Sequence, residues 1–498
     1  MMVVNSLNFW LFFIIVLLFY YGFFHKSARW QNISLLVASY VFYGMVDMKM
    51  CSLLFTTTVV FYLLGLAIGE YKNKNLSVSS SLTMLGVCMG VGLLVYFKYL
   101  NFFTEQFGSF LSTLGLNINW NTFNIIMPLG ISFYTFKLIS YVIEVYRGNM
   151  TPTKDYVAFG TFIAFFPTIM SGPIDNPIKF EPQLRSARTV NYDDLTEAGR
   201  HIVWGLFLKV CIADNLSSYT SAVLDNYSQH NATSIIFAAV FYSFQLYCDF
   251  AGYSEMAIGV SRILGIKVME NFCRPYFAQS VTEFWKRWHI SLTRWLTQYV
   301  YISLGGNRCS NLKQYRNIMV TFIVSGIWHG ANWTFILWGV FHGVFQTIEK
   351  ILGLNVYLKK PARNVSTNKE SVTRITYISQ SGGGKFFIKP LRILVTFALV
   401  TLNWLLFQSA SISDFFGALR VMGDGFGNMY ITSLNSLAMT GLCLSLMLIK
   451  ELKDEFNINI HFLHSSNRAV YIISTILLFI MILVFGNFGE NKFIYFQF

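Results

Sequence analysis

The chain has 498 residues, 54% of them hydrophobic and only 12% charged, with a formal net charge of +13. A soluble domain carries about 25% charged residues, so half the usual solvating surface is missing; a soluble enzyme, a disordered chain and a disulfide-stapled secreted protein are excluded. The apolar residues instead come in runs suited to a hydrocarbon layer of about 30 Å, which takes about 20 helical residues per crossing.

In chain order the apolar runs cover 7–24, 31–47, 51–69, 81–97, 124–145, 155–170, 202–224, 233–263, 316–348, 388–409, 432–450 and 469–487. The first 24 residues hold no Lys or Arg and lead to no A-x-A site, so the first run is expected to be an uncleaved span. Runs 233–263 and 316–348 are too long for one crossing and contain Gly or polar breaks; such segments bend or re-enter where protein covers the backbone. The expectation is an all-α polytopic bundle of about 10–12 crossings plus re-entrant helices.

Lys26 and Arg29 in the first loop, and Lys72 and Lys74 after the third run, place those loops in the cytoplasm and the N-terminus outside. The long polar stretch 349–392 holds Lys350, Lys359, Lys360, Arg363, Lys369, Arg374, Lys385, Lys389 and Arg392 against Glu349 and Glu370. It is expected to be a basic cytoplasmic loop. The chain then divides into N-terminal membrane helices (1–120), a core with re-entrant segments (121–348), the basic loop (349–392) and C-terminal membrane helices (393–498). Gly382-Gly383-Gly384-Lys385 lacks the first Gly and the closing Ser or Thr of a P-loop. The positive charge reads as topology beside an anionic leaflet, not as a nucleic-acid surface. The seven cysteines form no CxxC pair and mostly lie in apolar runs, as small buried hydrophobes do.

Of eight histidines, His25, His230, His461 and His464 fall in or beside loops, and His201 opens an apolar stretch. His329 lies in Ser325-Gly326-Ile327-Trp328-His329-Gly330-Ala331-Asn332-Trp333-Thr334, with no charged residue from Val320 to Phe345. An ionisable group at such depth faces a partner or a watered cavity. Gly326 and Gly330 leave one helix face bare for a close neighbour or a substrate; a histidine bonded to a neighbouring carbonyl is the plainer alternative.

His289 lies in Phe284-Trp285-Lys286-Arg287-Trp288-His289-Ile290-Ser291-Leu292. There Trp285, Trp288 and Trp295 would form an interfacial aromatic face, and Lys286, Arg287 and Arg294 would meet headgroups or the phosphates of a donor. His342 is thirteen residues beyond His329, about 20 Å away on a straight helix, and pairs with it only if the helix breaks. Asp249 and Glu255 sit in a mainly apolar run, and Pro173 and Asp175 close another. Without HExxH, CxxC or a close ligand set a metal is not expected, and no GxSxG elbow supports a serine nucleophile.

These motifs closely resemble the membrane-bound O-acyltransferase family, in particular its bacterial alginate O-acetyltransferase branch. The matching segments are Pro128–Phe136, Tyr141–Gly148, Phe165–Pro173, Gln245–Arg262, Phe284–Arg308, Tyr315–Gly343 and the tail Phe493–Phe498. Lys137 stands where Gln is common, in a span where it would bear on the donor or acceptor tunnel, and Glu144 stands where Asp is common. The resemblance implies a helical bundle around a tunnel joining the two faces. It also implies acyl transfer to a hydroxyl, with His329 as the catalytic histidine and His289 as the second histidine of the branch.

A neutral imidazole, with an ordinary pKa near 6.5, can take the hydroxyl proton as the alcohol attacks a thioester, and exclusion of water protects that thioester. His329 is therefore assigned as general base, His289 as the group that positions the donor or polarises its carbonyl, and Asn332 as an orienter of the acyl oxygen. Trp328 and Trp333 are given to packing or tunnel lining. Lys286, Arg287, Arg294, Arg308 and Arg316 would face CoA phosphates at the cytoplasmic mouth. The expected donor is acetyl-CoA as substrate, with no bound cofactor. The implied partners are an extracytoplasmic acyltransferase and a cell-surface polysaccharide, and the implied location is the bacterial inner membrane. Competing readings are D-alanyl transfer from a carrier protein to teichoic acid, a proton-coupled transporter or flippase, and a non-catalytic scaffold. The absence of an internal repeat disfavours the transporter.

Overall fold

In a hydrocarbon layer every backbone N–H and C=O must be satisfied within the chain, which leaves helices as the economical solution for sequences this apolar. The computed structural model describes residues 4, 6–115, 125, 127–354, 388–431, 433–458, 467–489 and 493–494, and among these there are helices and turns but no strand. The first group is α1 (Leu7–Leu17), α2 (Ala28–Gly44), α3 (Met48–Tyr71), α4 (Leu76–Leu94), α5 (Leu100–Thr113), α6 (Ile131–Arg147) and α7 (Tyr156–Ala164). The short α8 (Pro177–Phe180) leads to α9 (Tyr192–Leu206), α10 (Asp214–Leu224) and α11 (Ala232–Ile263). Two seven-residue helices, α12 (Val281–Arg287) and α13 (Ile290–Leu296), precede the pair α14 (Asn311–His329) and α15 (Trp333–Ile351). The last group is α16 (Ile388–Gln408), α17 (Ile412–Asp424), α18 (Leu434–Phe456) and α19 (Arg468–Phe485).

Helix starts follow local chemistry. The side chains of Ser27, Asp47, Asn75, Asn231 and Asn332 accept backbone N–H groups that the first turns of α2, α3, α4, α11 and α15 leave open. Among the described residues, five helices are long and apolar enough to cross a membrane: Met48–Tyr71, Leu76–Thr113, Ala232–Ile263, Ile388–Gln408 and Leu434–Phe456. Leu7–Phe23 and Ala469–Phe485 are apolar but shorter. Ile472, Ile473, Ile476, Leu477, Ile480 and Leu483 on α19 all lie exposed, which is a lipid-facing surface rather than a wet one.

Run 233–263 does not break, contrary to expectation. It is the continuous 32-residue α11, and its glycines serve contact rather than a bend. A methyl on Gly252 would stand 2.7 Å from Gly205 O, and one on Gly259 2.8 Å from Ala198 O, so α9 and α11 meet backbone to backbone. Run 316–348 does break, at Gly330–Asn332, and folds back as the antiparallel hairpin α14–α15. Run 155–170 gives only the nine-residue α7 followed by turns. The basic stretch is shorter than 349–392, because Glu349 and Lys350 complete α15 while Lys389 and Arg392 begin α16; residues 355–387 lie outside the described residues.

Buried charges stitch the helices. Lys209 pairs with Asp214 at 2.8 Å and Asp249 at 2.6 Å, and Asp249 also accepts the Ile494 N–H at 2.8 Å. Glu255 meets His201. The two acids the sequence marks inside run 233–263 thus act as cross-helix ties.

The hairpin gives a stability prediction. A methyl on Gly326 would lie 2.3 Å from Phe335 O, whereas one on Gly92 meets nothing within 4 Å. Gly326→Ala should cost about 3 kcal/mol through forced separation of α14 and α15. Gly92→Ala should be neutral or stabilise by up to about 1 kcal/mol. Thermal unfolding of the detergent-solubilised proteins compares the two.

Candidate active site

His329 is the last residue of α14. Gly330 follows in an extended conformation, its bare α-carbon against the Phe335 ring, which a methyl would approach to 2.3 Å. Asn332 then starts α15: its Oδ1 accepts the Thr334 N–H at 3.0 Å and its Nδ2 donates to Ala410 O at 2.8 Å. Both polar atoms of the residue assigned as acyl-oxygen orienter are thus engaged in holding the turn.

The buried His329 ring lies among Trp328 (4.8 Å between centroids), Trp338 (4.9 Å) and Phe407 (5.2 Å). Because the helix breaks, His342 comes back beside it. Trp338 touches His342 at 4.8 Å, and Trp285 Nε1–H donates to His342 Nδ1 at 3.2 Å. The two histidines therefore share one indole instead of standing four turns apart.

His289 joins α12 to α13 with φ +41°, a left-handed conformation uncommon for a residue with a β-carbon. Asn271 holds it there. Its carbonyl accepts the Ile290 N–H at 2.9 Å, and its Oδ1 accepts Ser291 Oγ–H at 2.6 Å and the Ser291 N–H at 3.3 Å. The Ser291 hydroxyl in turn accepts the Ile174 N–H at 3.0 Å. The imidazole faces the edge of Phe250 at 4.7 Å and lies 6.1 Å from Trp328, so Trp328 touches both histidines that the resemblance singles out.

The expected aromatic anchor is not interfacial. Trp285 and Trp288 are buried, and the kink at His289 takes Trp295 off their face to stack on Phe136 at 3.7 Å. Nor does Arg287 meet a phosphate: it is 1% exposed and pairs with Glu283 at 2.6 Å and Glu455 at 2.9 Å, because a guanidinium this deep needs fixed carboxylates. Lys286 and Arg294 are exposed and line the cavities described next. Arg308 and Arg316 are exposed outside those linings, and Arg316 donates to Asn317 Oδ1 at 2.9 Å. Trp333 is 52% exposed, its Nε1–H donating to Gln106 Oε1 at 3.3 Å. Lys137 is buried and donates to Phe162 O and Thr168 Oγ1, and it lines none of the cavities below.

Two cavities of about 590 and 610 Å³ share Trp285, Lys286, Thr293 and Thr297. The larger follows Gln314, Ile318, Thr321 and Ser325, one face of α14, and stops one turn before His329. The smaller holds Arg294, Lys179 and Asp175. Beyond His329 a third cavity of about 70 Å³ is lined by His329, Trp328, Gly130, Ser132, Met170 and Lys98. His329 therefore stands between a long polar-mouthed groove and a small cleft.

Sequence reading missed Asn271, an ordinary loop residue before folding, and Lys98. Lys98 had a signal: it is the one lysine inside the apolar helix Leu76–Thr113.

The membrane-bound O-acyltransferase family model matches residues 153–363, which include the three histidines buried among the described residues. The chain is 36% identical to a probable alginate O-acetylase of Azotobacter vinelandii, over 85% of this chain and 79% of the relative. It is 37% identical to the Pseudomonas aeruginosa protein described in the same words, over 84% and 74%. A peptidoglycan O-acetyltransferase of Helicobacter pylori is 31% identical over 80% and 74%.

The clamp on His289 sets a further expectation. Asn271→Ala removes an acceptor that serves two buried Ser291 donors and should destabilise by about 2 kcal/mol. It should also lower the rate of acyl transfer. Melting and turnover on the same preparation check both.

Proposed function

The chain belongs to the membrane-bound O-acyltransferase family and is an O-acyltransferase; from that premise we propose that it takes acetyl groups from cytoplasmic acetyl-CoA and delivers them outward for O-acetylation of a cell-surface polysaccharide. His329 acts as the general base. The observation that carries this reading is the position of His329 between the α14 groove, with Lys286 at its mouth, and the small cleft at its far end.

Helix length and loop charge support this direction. α14 begins beside Arg308 and Lys313, and α4 begins beside Lys72 and Lys74. On the positive-inside rule both ends are cytoplasmic. At 1.5 Å per residue, His329 is roughly 27 Å along α14, and Lys98 is roughly 33 Å from the start of α4. The small cleft therefore belongs toward the opposite face, where an acceptor carried by an extracytoplasmic partner would arrive. This fits the bacterial inner membrane, and the alginate and peptidoglycan O-acetyltransferase relatives support a polysaccharide as final acceptor.

The donor enters along the groove, whose volume of about 610 Å³ falls in the ordinary range for small-molecule sites. Lys286 and Arg294 neutralise its phosphates, while the aromatic walls around His329 keep water from the thioester. The imidazole takes the proton of the incoming hydroxyl as its oxygen attacks the acetyl carbon and returns it to the departing thiolate. His289, fixed by Asn271, bears on the acetyl carbonyl from the other side of Trp328.

Purified protein in nanodiscs with acetyl-labelled acetyl-CoA tests the reading. His329→Ala should lower turnover about 10²- to 10⁴-fold while the protein stays folded. If neither protein consumes acetyl-CoA, even with the extracytoplasmic fraction added, the donor is a carrier-borne acyl group or the chain is not a transferase of this donor. Lys286→Gln with Arg294→Gln should raise KM for acetyl-CoA about tenfold or more, with kcat nearly unchanged and the effect shrinking in high salt.

A further inference from the structure

The carbonyl end of α14 holds a charged group that the reaction above leaves unused. Lys98 stands on the π-helical turn Val95–Tyr99, which joins α4 to α5, and such turns recur at functional sites. Its Nζ donates to Trp328 O, one residue before His329, and lies 5.7 Å from the Trp328 ring centroid. Among the described residues no carboxylate pairs with it, and the sequence holds no Asp or Glu between Glu105 and Glu144. A cation this far into an apolar helix is costly, and the partial negative charge at a helix C-terminus offsets only part of that cost.

An ammonium has three donors, and Trp328 O takes one. The others are available to the small cleft that Lys98 and His329 line together. The wall beside them is backbone: Gly130 has φ +69°, and a methyl there would lie 2.2 Å from Ile169 O. Since the Trp328 carbonyl belongs to the last turn of α14, the same helix fixes ammonium and imidazole relative to each other.

We propose that Lys98 is a catalytic residue of the acyl transfer, its ammonium donating a hydrogen bond to the oxyanion that forms on the acetyl carbonyl beside His329. The inference rests on the His329 reading above. The hydroxyl oxygen bonds to the acetyl carbon, the carbonyl π pair moves onto oxygen, and the hydroxyl proton passes to His329. The negative charge created there is the counter-ion the resting structure does not supply to Lys98. Collapse restores the carbonyl and breaks the C–S bond, and the thiolate takes the proton from His329, so atoms and charge balance. Donors preplaced at a developing oxyanion in a dry site are among the strongest single contributions to catalysis.

Lys98→Met, Lys98→Arg and His329→Ala are compared with wild type in nanodiscs, following both acetyl transfer and acetyl-CoA hydrolysis without acceptor. Lys98→Met should lower kcat for both reactions about 10²- to 10³-fold with KM nearly unchanged, and Lys98→Arg should recover most of the rate. A folded Lys98→Met protein with near-normal kcat overturns the proposal. So does a loss confined to KM, or a loss of transfer with hydrolysis intact, which would make Lys98 an acceptor-binding group. Should Lys98→Met fail to fold, Lys98→Gln decides by the same criteria. If His329→Ala turns over like wild type, the histidine reading itself fails; if it is inactive while Lys98→Met is not, only the present proposal does.

Discussion

The contact between Gly326 and Gly339 is the constraint on which the rest of the site depends. A methyl on Gly326 would lie 2.3 Å from Phe335 O, and one on Gly339 would lie 2.3 Å from Phe322 O, so α14 and α15 run against each other with no side chain between them. Two hydrophobic helices in a bilayer gain little from burying apolar surface against each other, and close backbone approach supplies the dispersion contacts instead. That approach requires a turn at Gly330–Asn332. The turn puts His329 at a helix end and returns Trp338 and His342 to its side.

Around this hairpin the chain excludes water with rings and balances its interior charges pairwise. Trp285, Trp288, Trp328, Trp338 and Trp404 form one continuous aromatic body around the three histidines. Arg287 sits at its base with Glu283 and Glu455, tying the short α12 to the end of α18. Glu349, in the last turn of α15, accepts the Thr282 N–H at 2.9 Å and so ties the hairpin to the same short helix. Such pairs contribute little net stability but are expensive to break, so they fix which helix lies beside which. Lys98, like the buried Lys137, departs from this pairing, and its position differs in lining the small cleft beside His329.

Class and general architecture were legible before folding. Runs of about 20 apolar residues dictate helices in a bilayer, and the observed helices follow most of those runs within a few residues. The reading of run 233–263 went astray because Gly in a helix signals either a bend or a close neighbour, and only the neighbour, Gly205 of α9, decides between them. Arg287 went astray for a similar reason. A basic residue beside tryptophans reads as interfacial until Glu455, 168 residues away, is seen to pair with it. Asn271 was invisible because its role consists of hydrogen bonds to Ile290 and Ser291, which no spacing announces.

That this protein lives in a membrane as a helical bundle was legible in its composition and apolar runs, and the family resemblance carried by its motifs implied acyl transfer. Composition and motif are properties of single positions and short windows, so they survive without coordinates. Tertiary structure alone decided that His329 and His342 flank one indole, that His289 is held left-handed by a distant asparagine, and that Lys98 reaches the carbonyl before His329. Each of these is a meeting of residues far apart in sequence, set by which backbones approach closely enough to touch. That choice belongs to packing across helices, where glycine's missing side chain is informative only once the facing helix is in place.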